Sequence, residues 1–225
     1  MRNALKLPNG FVVTSDNSAG IGEKQADIVY AMNDVVSYFA SRVALLEQWA
    51  AFAEVDSVIL QNFTSEAAWD SYMIGIKRLL EEVDLGQVPI SGSSESNMEL
   101  MQSAMSVTMI GRTREIVDCD VTWFINGQPY VGNEVLENID VIADMNKIKE
   151  AIANGWVRKV WPVGSKGIQA EAKTLLKDES LVVVSELDVV KSAGPSTVVL
   201  LGIPPEYVEL SIRHFGNEFR ELIVM

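Results

Sequence analysis

Three stretches of this sequence bring together residue types that could do chemistry. The first is Ser15-Asp16-Asn17-Ser18-Ala19-Gly20-Ile21-Gly22-Glu23-Lys24, which follows the β-rich run Phe11-Val12-Val13-Thr14. A carboxylate at the end of a strand, with small residues after it, can hold Mg2+ while backbone N–H groups approach phosphate oxygens. The same residues also read as a turn in which Asp16 caps its own loop. The second is Glu47, in a stretch of helical period that is apolar nearly all round. A carboxylate in a buried helix must find a cation, a metal or strong donors, or else take up a proton. A metal serves, and so does an ion pair with Arg42 or Lys24. The third is Ser91-Gly92-Ser93-Ser94-Glu95-Ser96-Asn97. Its hydroxyls suit phosphate oxygens or metal-bound water, and Glu95 adds charge. A solvated Ser-rich linker would look alike, but this stretch lies between two apolar runs and not between domains.

The elements that must position these residues follow from hydrophobic periodicity. Asn33 suits the cap of a helix running to about Glu54, with Val36, Ala40, Val43, Ala50 and Ala51 on one side and Tyr38, Leu45, Trp49 and Phe52 on the other. Val58 to Leu60 reads as a strand. Ser65 to Val83 reads as an amphipathic helix through Trp69, Met73, Ile76, Leu80 and Val83. Met105 to Ile110 and Val117 to Ile125 read as strands, and Asn126-Gly127 as a hairpin-type turn. Beyond Asn133, helices are expected over Leu136–Ala153, Gly167–Leu176 and Pro204–Phe215. Strands are expected over Val157–Val163, Leu181–Val184, Ser196–Ile203 and Phe219–Val224. A change of texture near residues 126–135 divides the chain into domains 1–130 and 131–225. Strands alternating with helices in both give an α/β or α+β class.

Composition excludes several functions. The 225 residues carry 18 Lys and Arg against 31 Asp and Glu, a net charge of −13 that repels nucleic-acid phosphates. One Cys (Cys119) and one His (His214) rule out a Cys/His zinc site and an internal disulfide. His214 is expected to stabilise a helix C-terminus. Gly164-Ser165-Lys166-Gly167 and Gly20-Ile21-Gly22 both lack the further glycine of a phosphate-binding or dinucleotide fingerprint. With no signal-like start and no apolar run of spanning length, the expected location is the cytoplasm, away from membranes.

Taken in order, these pieces resemble the aminoimidazole-ribotide-synthetase, or PurM-like, superfamily. Asp16 matches the acidic residue of that family's N-terminal Gly-Thr-Asp-Gly-type motif. The run Glu47-Gln48-Trp49-Ala50-Ala51-Phe52-Ala53-Glu54-Val55 is similar to its Asp-(Leu/Ile)-Ala-Ala-Met-Gly-Ala-x-Pro, with Glu47 standing for the Asp. Ser91-Gly92-Ser93-Ser94 resembles its Gly-Gly-(Asp/Glu)-Thr loop, with Ser93 in place of the acid and Glu95 two positions on. The resemblance covers residues 10–112, and within the family it leans to the α-ribazole kinase branch.

That resemblance implies a PurM-like N-terminal domain whose strands (Val12–Thr14, Val58–Leu60, Met105–Ile110, Val117–Ile125) pair with a second copy into a dimeric barrel, followed by a reduced α/β C-terminal domain. It implies a cytoplasmic homodimer that binds ATP and Mg2+ and phosphorylates the 5′-hydroxyl of α-ribazole in cobamide salvage. Asp16 and Glu47 are implied as catalytic residues and, with Glu95, as metal ligands. Asn17, Ser18, Gly20, Gly22, Lys24, Ser91, Gly92, Ser93, Ser94 and Asn97 are implied to contact nucleotide. The rival readings are another ATP-dependent enzyme of the superfamily, acting on a thiamine- or purine-type phosphate, and a catalytically silent nucleotide-binding dimer.

Overall fold

The computed structural model describes residues 3–115 and 119–225. Val117, expected to open a strand, lies outside the described residues. The chain divides into two compact units, 1–116 and 117–225.

Unit 1 runs β1 (Leu5–Lys6), β2 (Phe11–Ala19), β3 (Ile21–Gly22), β4 (Val29–Tyr30), α1 (Asn33–Ala50), β5 (Ala53–Asn62), α2 (Trp69–Glu82), β6 (Ile90–Ser94) and β7 (Ala104–Thr113). Five strands form an open sheet in the order β1-β2-β7-β5-β6, and β5–β6 is its parallel pair. Period-two burial explains it: Val12 and Thr14 on β2, Met105, Val107 and Met109 on β7, and Val58, Leu60 and Asn62 on β5 are buried. Helix α1 covers that face. The Thr14 hydroxyl donates to the Ala44 carbonyl at 2.8 Å, and the Gln48 amide donates to the Val12 and Met109 carbonyls at 3.2 and 2.9 Å. Helix α2 packs on α1 around Gly75, where a Cβ would stand 1.9 Å from the Asp34 carbonyl oxygen. Leu45 and Leu46 of α1 are fully buried, each contributing about 2 kcal/mol of apolar transfer.

Three local expectations change. Ser15 to Ala19 is strand and not loop, because β7 pairs with β2 along its whole length, from Phe11↔Arg112 to Ala19↔Ala104. Asp16 is therefore a strand residue, and the self-capping turn is not formed. Helix α1 stops at Ala50, because Phe52 adopts φ 57° and turns the chain into β5, which places Glu54 in a strand. Asn33 does not cap α1 with its own side chain. The Glu23 carboxylate, ten residues earlier, accepts from Asn33 N at 3.2 Å and Nδ2 at 2.9 Å.

Unit 2 contains β8 (Thr122–Asn126), α3 (Glu134–Glu137), α4 (Met145–Ala153), β9 (Lys159–Pro162), α5 (Gly167–Leu176), β10 (Val183–Val184), β11 (Val199–Ile203), α6 (Val208–Phe215), β12 (Phe219–Glu221) and β13 (Ile223–Val224). Its main sheet has the order β12-β8-β11-β9, and β10 pairs with β13. The division falls ahead of the expected 126–135 boundary because β8 hydrogen-bonds to β11 and β12, not to any strand of unit 1. β8 is therefore no strand of the first sheet, and Asn126-Gly127 is not a hairpin turn. Asp144 accepts from Lys147 N at 3.0 Å and starts α4, which splits the helix expected over Leu136–Ala153. His214 lies in the last turn of α6, as expected, and its ring sits 2.9 Å from the Lys147 carbonyl, which ties α6 to α4. Trp123 and Trp161 pack on the core around Ile125, Val163, Ile168 and Leu200.

Candidate functional site

The sheet register brings two of the three sequence stretches to one end of unit 1. Asp16 is level with Val107, Leu60 and Gly92, and Ser18 is level with Met105, Asn62 and Ser94. The polar ends of β2 and β6 thus emerge at the same edge, with β7 and β5 between them. The loops that continue them are joined directly. Gly20 N donates to Ser103 O at 2.9 Å, the Lys24 ammonium donates to Leu100 O, and the Gln102 amide donates to Ala26 O at 2.8 Å.

Asp27 fastens this junction. Its two oxygens accept from Ser103 N and Oγ, both at 2.7 Å, and from Lys24 N at 2.9 Å. Gly22 is required here by space, since a Cβ would lie 2.3 Å from Ser103 Oγ. Gly92 is required for the same reason: a Cβ would lie 1.9 Å from the Leu60 carbonyl oxygen.

Asn62, which the sequence reading passed over, organises the exit of β6. It is fully buried. Its Oδ1 accepts from Thr64 N at 2.9 Å, and its Nδ2 donates to Ser65 O at 2.6 Å and Ser94 Oγ at 2.9 Å. Its backbone oxygen accepts from Glu95 N at 2.8 Å. Beneath it, Thr64 Oγ1 meets the Tyr72 hydroxyl at 2.6 Å and accepts from Ala104 N at 2.9 Å. Burial pushes the Tyr72 pKa up, so the phenol stays neutral and available to bond. The only sequence signal for Asn62 was an amide closing the apolar run Val58-Ile59-Leu60, which a loop residue would equally give.

The remaining expected residues are placed as follows. Asn17 is exposed on the face of β2 away from α1, while Asp16 and Ser18 share the face of Val12 and Thr14. Ser91 and Ser93 are exposed on β6. Glu95 accepts from Asn97 N at 2.7 Å and Met98 N at 3.2 Å, and these two backbone donors hold its pKa below the usual carboxylate range. Glu47 is buried, with its oxygens accepting from Asn3 N at 3.4 Å and Asn3 Nδ2 at 3.2 Å. Relative to the Thr14–Ala44 contact, Glu47 lies on the Val12 side and Asp16 on the other, so their backbones diverge along the strand.

The Lys24 ammonium and the Gly20 N–H are both used inside the fold, so neither is directed at a phosphate in this conformation. Asp16 is on β2 and Glu95 follows the last residue of β6, and those two strands, with β7 and β5 between them, stand about 14 Å apart at ordinary strand spacing. Among the described residues, no three His, Cys, Asp or Glu side chains form a metal-binding group. Mg2+ commonly takes one or two carboxylates together with substrate phosphates and water. Single acids such as Asp16 and Glu95 therefore fit an ion carried in by a polyphosphate, but not a cage built by the protein. Among the described residues, no helix is long and apolar enough to cross a membrane.

No family model matches the sequence, and no curated protein matches it. Solved structures do match the fold. Thiamine monophosphate kinase from Aquifex aeolicus superposes with a TM-score of 0.65 at 12% identity, over 98% of this chain and 86% of that one. The hydrogenase maturation protein HypE in complex with ATP gives 0.61 at 12% identity, over 99% and 78%. PurL of T. maritima complexed with AMPPCP gives 0.58 at 10% identity, over 97% of this chain and 42% of that one. These neighbours are members of the PurM-like superfamily, and the chain shares their mixed α/β fold.

Proposed function

We propose that this chain is an ATP-using phosphotransferase of the PurM-like kind. One observation carries the reading: the Ser15–Lys24 and Ser91–Asn97 stretches, apart in sequence, meet at one end of a sheet. That sheet belongs to a fold whose solved examples include HypE in complex with ATP and thiamine monophosphate kinase with AMPPCP and TMP. Phosphoryl transfer asks mainly for alignment and for neutralisation of charge on the transferring group. Mg2+, bound with the nucleotide, would supply that neutralisation. The chain's own share is positional. Asp16 and Glu95 would each offer a carboxylate to metal-bound phosphates, Glu47 would support the Asn3 segment, and Ser18, Ser91, Ser93, Ser94, Gly92, Gly22, Asn17 and Asn97 would line the nucleotide path. Lys24 and the Gly20 N–H would reach phosphate only if the 20–28 loop released Leu100 and Ser103.

The proposed acceptor is the 5′-hydroxyl of α-ribazole, and the proposed assembly is a cytoplasmic homodimer in which the sheet faces opposite α1 come together. A coupled ADP-release assay with Mg-ATP and a panel of acceptors (α-ribazole, thiamine phosphate, a purine-type phosphate) tests both parts. Turnover with α-ribazole that falls in Asp16→Ala and Glu95→Ala supports the reading. Turnover only with another acceptor moves the chain elsewhere in the superfamily. Thermal shift with Mg-ATP adds a second readout, because a ligand at 100 times its Kd stabilises the native state by about 2.7 kcal/mol. A shift without turnover on any acceptor would make the chain a nucleotide-binding dimer, and no shift at all would remove the nucleotide.

A further inference from the structure

The two joined loops present an unusual surface. Ile28 is 85% exposed, Tyr30 73%, Met98 71% and Met101 83%, with Met32 and Leu100 also exposed. The 20–32 and 95–103 segments that carry them are one surface, because Gly20–Ser103, Lys24–Leu100 and Gln102–Ala26 hydrogen bonds stitch them together. The same segments hold four acids, Glu23, Asp27, Glu95 and Glu99, and a single base, Lys24, giving a net −3. None of the four acids has a Lys or Arg partner among the described residues. Asp27 is bonded by Lys24 N, Ser103 N and Ser103 Oγ, Glu23 by Asn33, and Glu95 by backbone N–H groups. Asp34, the nearest acid on α1, is already paired with Arg78.

Large apolar side chains left in water mark a contact surface, and the charge around them selects what it can contact. A second copy meeting this patch with its own equivalent patch would bring −3 against −3, and any other face belongs to a molecule of net −13. An anionic lipid surface or a nucleic acid would be repelled in the same way. Methionine is adaptable and suits the irregular apolar side of a helix. We propose that this surface docks a cationic amphipathic helix of another protein, with Ile28, Tyr30, Met98 and Met101 receiving its apolar side and Glu23, Glu95 and Glu99 facing its Lys and Arg residues. A segment bound there would rest on the loops that continue β2 and β6.

Fluorescence anisotropy on the full chain, without nucleotide, tests this. The probe is a short labelled peptide of Leu and Lys patterned as an amphipathic helix. The control has the same composition, with Leu spread around every face. The amphipathic peptide should bind about tenfold more tightly than the control, and Ile28→Ser with Met101→Ser should remove that preference. Glu99→Gln should weaken binding and flatten its dependence on salt. Because all three side chains are on the surface, the variants should melt with the parent chain. Equal binding of the two peptides, or an undiminished preference in the Ser variant, overturns the proposal. Both outcomes are independent of whether the chain turns over ATP.

Discussion

Replacing Asn62 with Ala tests how the exit of β6 is held. The side chain is fully buried and satisfies three groups: the Thr64 N–H, the Ser65 carbonyl and the Ser94 hydroxyl. Ser65 and Ser94 are half-buried and can recover a bond from water, whereas Thr64 is buried and its N–H would be left without an acceptor. An unsatisfied buried donor costs about 1–3 kcal/mol, and two further bonds exchanged for water cost about 0.5–1.5 kcal/mol each. The expected loss is thus about 4 kcal/mol, read as a lower urea midpoint at unchanged m. Hydrogen exchange at the Thr64 amide should accelerate by the factor that loss implies. Asn62→Asp keeps the acceptor for Thr64 but buries a carboxylate with no cation among its hydrogen-bond partners. Burial raises the folded-state pKa of such a group above its unfolded value. The deficit should therefore be full at neutral pH and shrink as pH falls through the folded pKa. A loss below about 1 kcal/mol for Asn62→Ala, with Thr64 exchange unchanged, would refute the reasoning.

Three further outcomes follow from the same geometry. Gly92→Ala should unseat β6 from β5, because the new methyl meets the Leu60 backbone at 1.9 Å, and amide exchange across 90–94 should rise. Glu23→Ala should lower stability by about 1 kcal/mol, the usual worth of a helix-capping acceptor, in equilibrium unfolding. Glu95 has its pKa lowered by the Asn97 and Met98 N–H groups, so the turn it holds is fully formed above the ordinary glutamate pKa and lost as pH falls through the folded value. The Asn97 and Met98 amide shifts should titrate with a midpoint below that of a free glutamate, and a midpoint at or above it would contradict the turn.

The sequence by itself determined which segments are buried and the order of the elements. Period-two burial on β2, β5 and β7, the apolar character of α1 and the bounds of α5 at Gly167–Leu176 are local consequences of side-chain polarity, so they could be read directly. The serine run was legible as polar and Gly-containing, but Ser91–Ser94 is strand and not loop, because β5 pairs with it from Val58↔Ile90 to Asn62↔Ser94. What only the tertiary structure decided were matters of pairing. Ser15–Ala19 became strand because a partner ninety residues away supplied its hydrogen bonds, and Thr122–Asn126 joined the second unit because β11 and β12 did the same. The α1 cap came from Glu23, the loop clamp from Asp27 and the exit of β6 from Asn62. Each is a polar side chain with a partner distant in sequence (Asn33 for Glu23, Ser103 for Asp27, the Ser94 hydroxyl for Asn62), and no local period or composition encodes such a partner. For the same reason the three acids singled out in the sequence could be recognised as unusual, while the two strands lying between Asp16 and Glu95 could be found only in the sheet order.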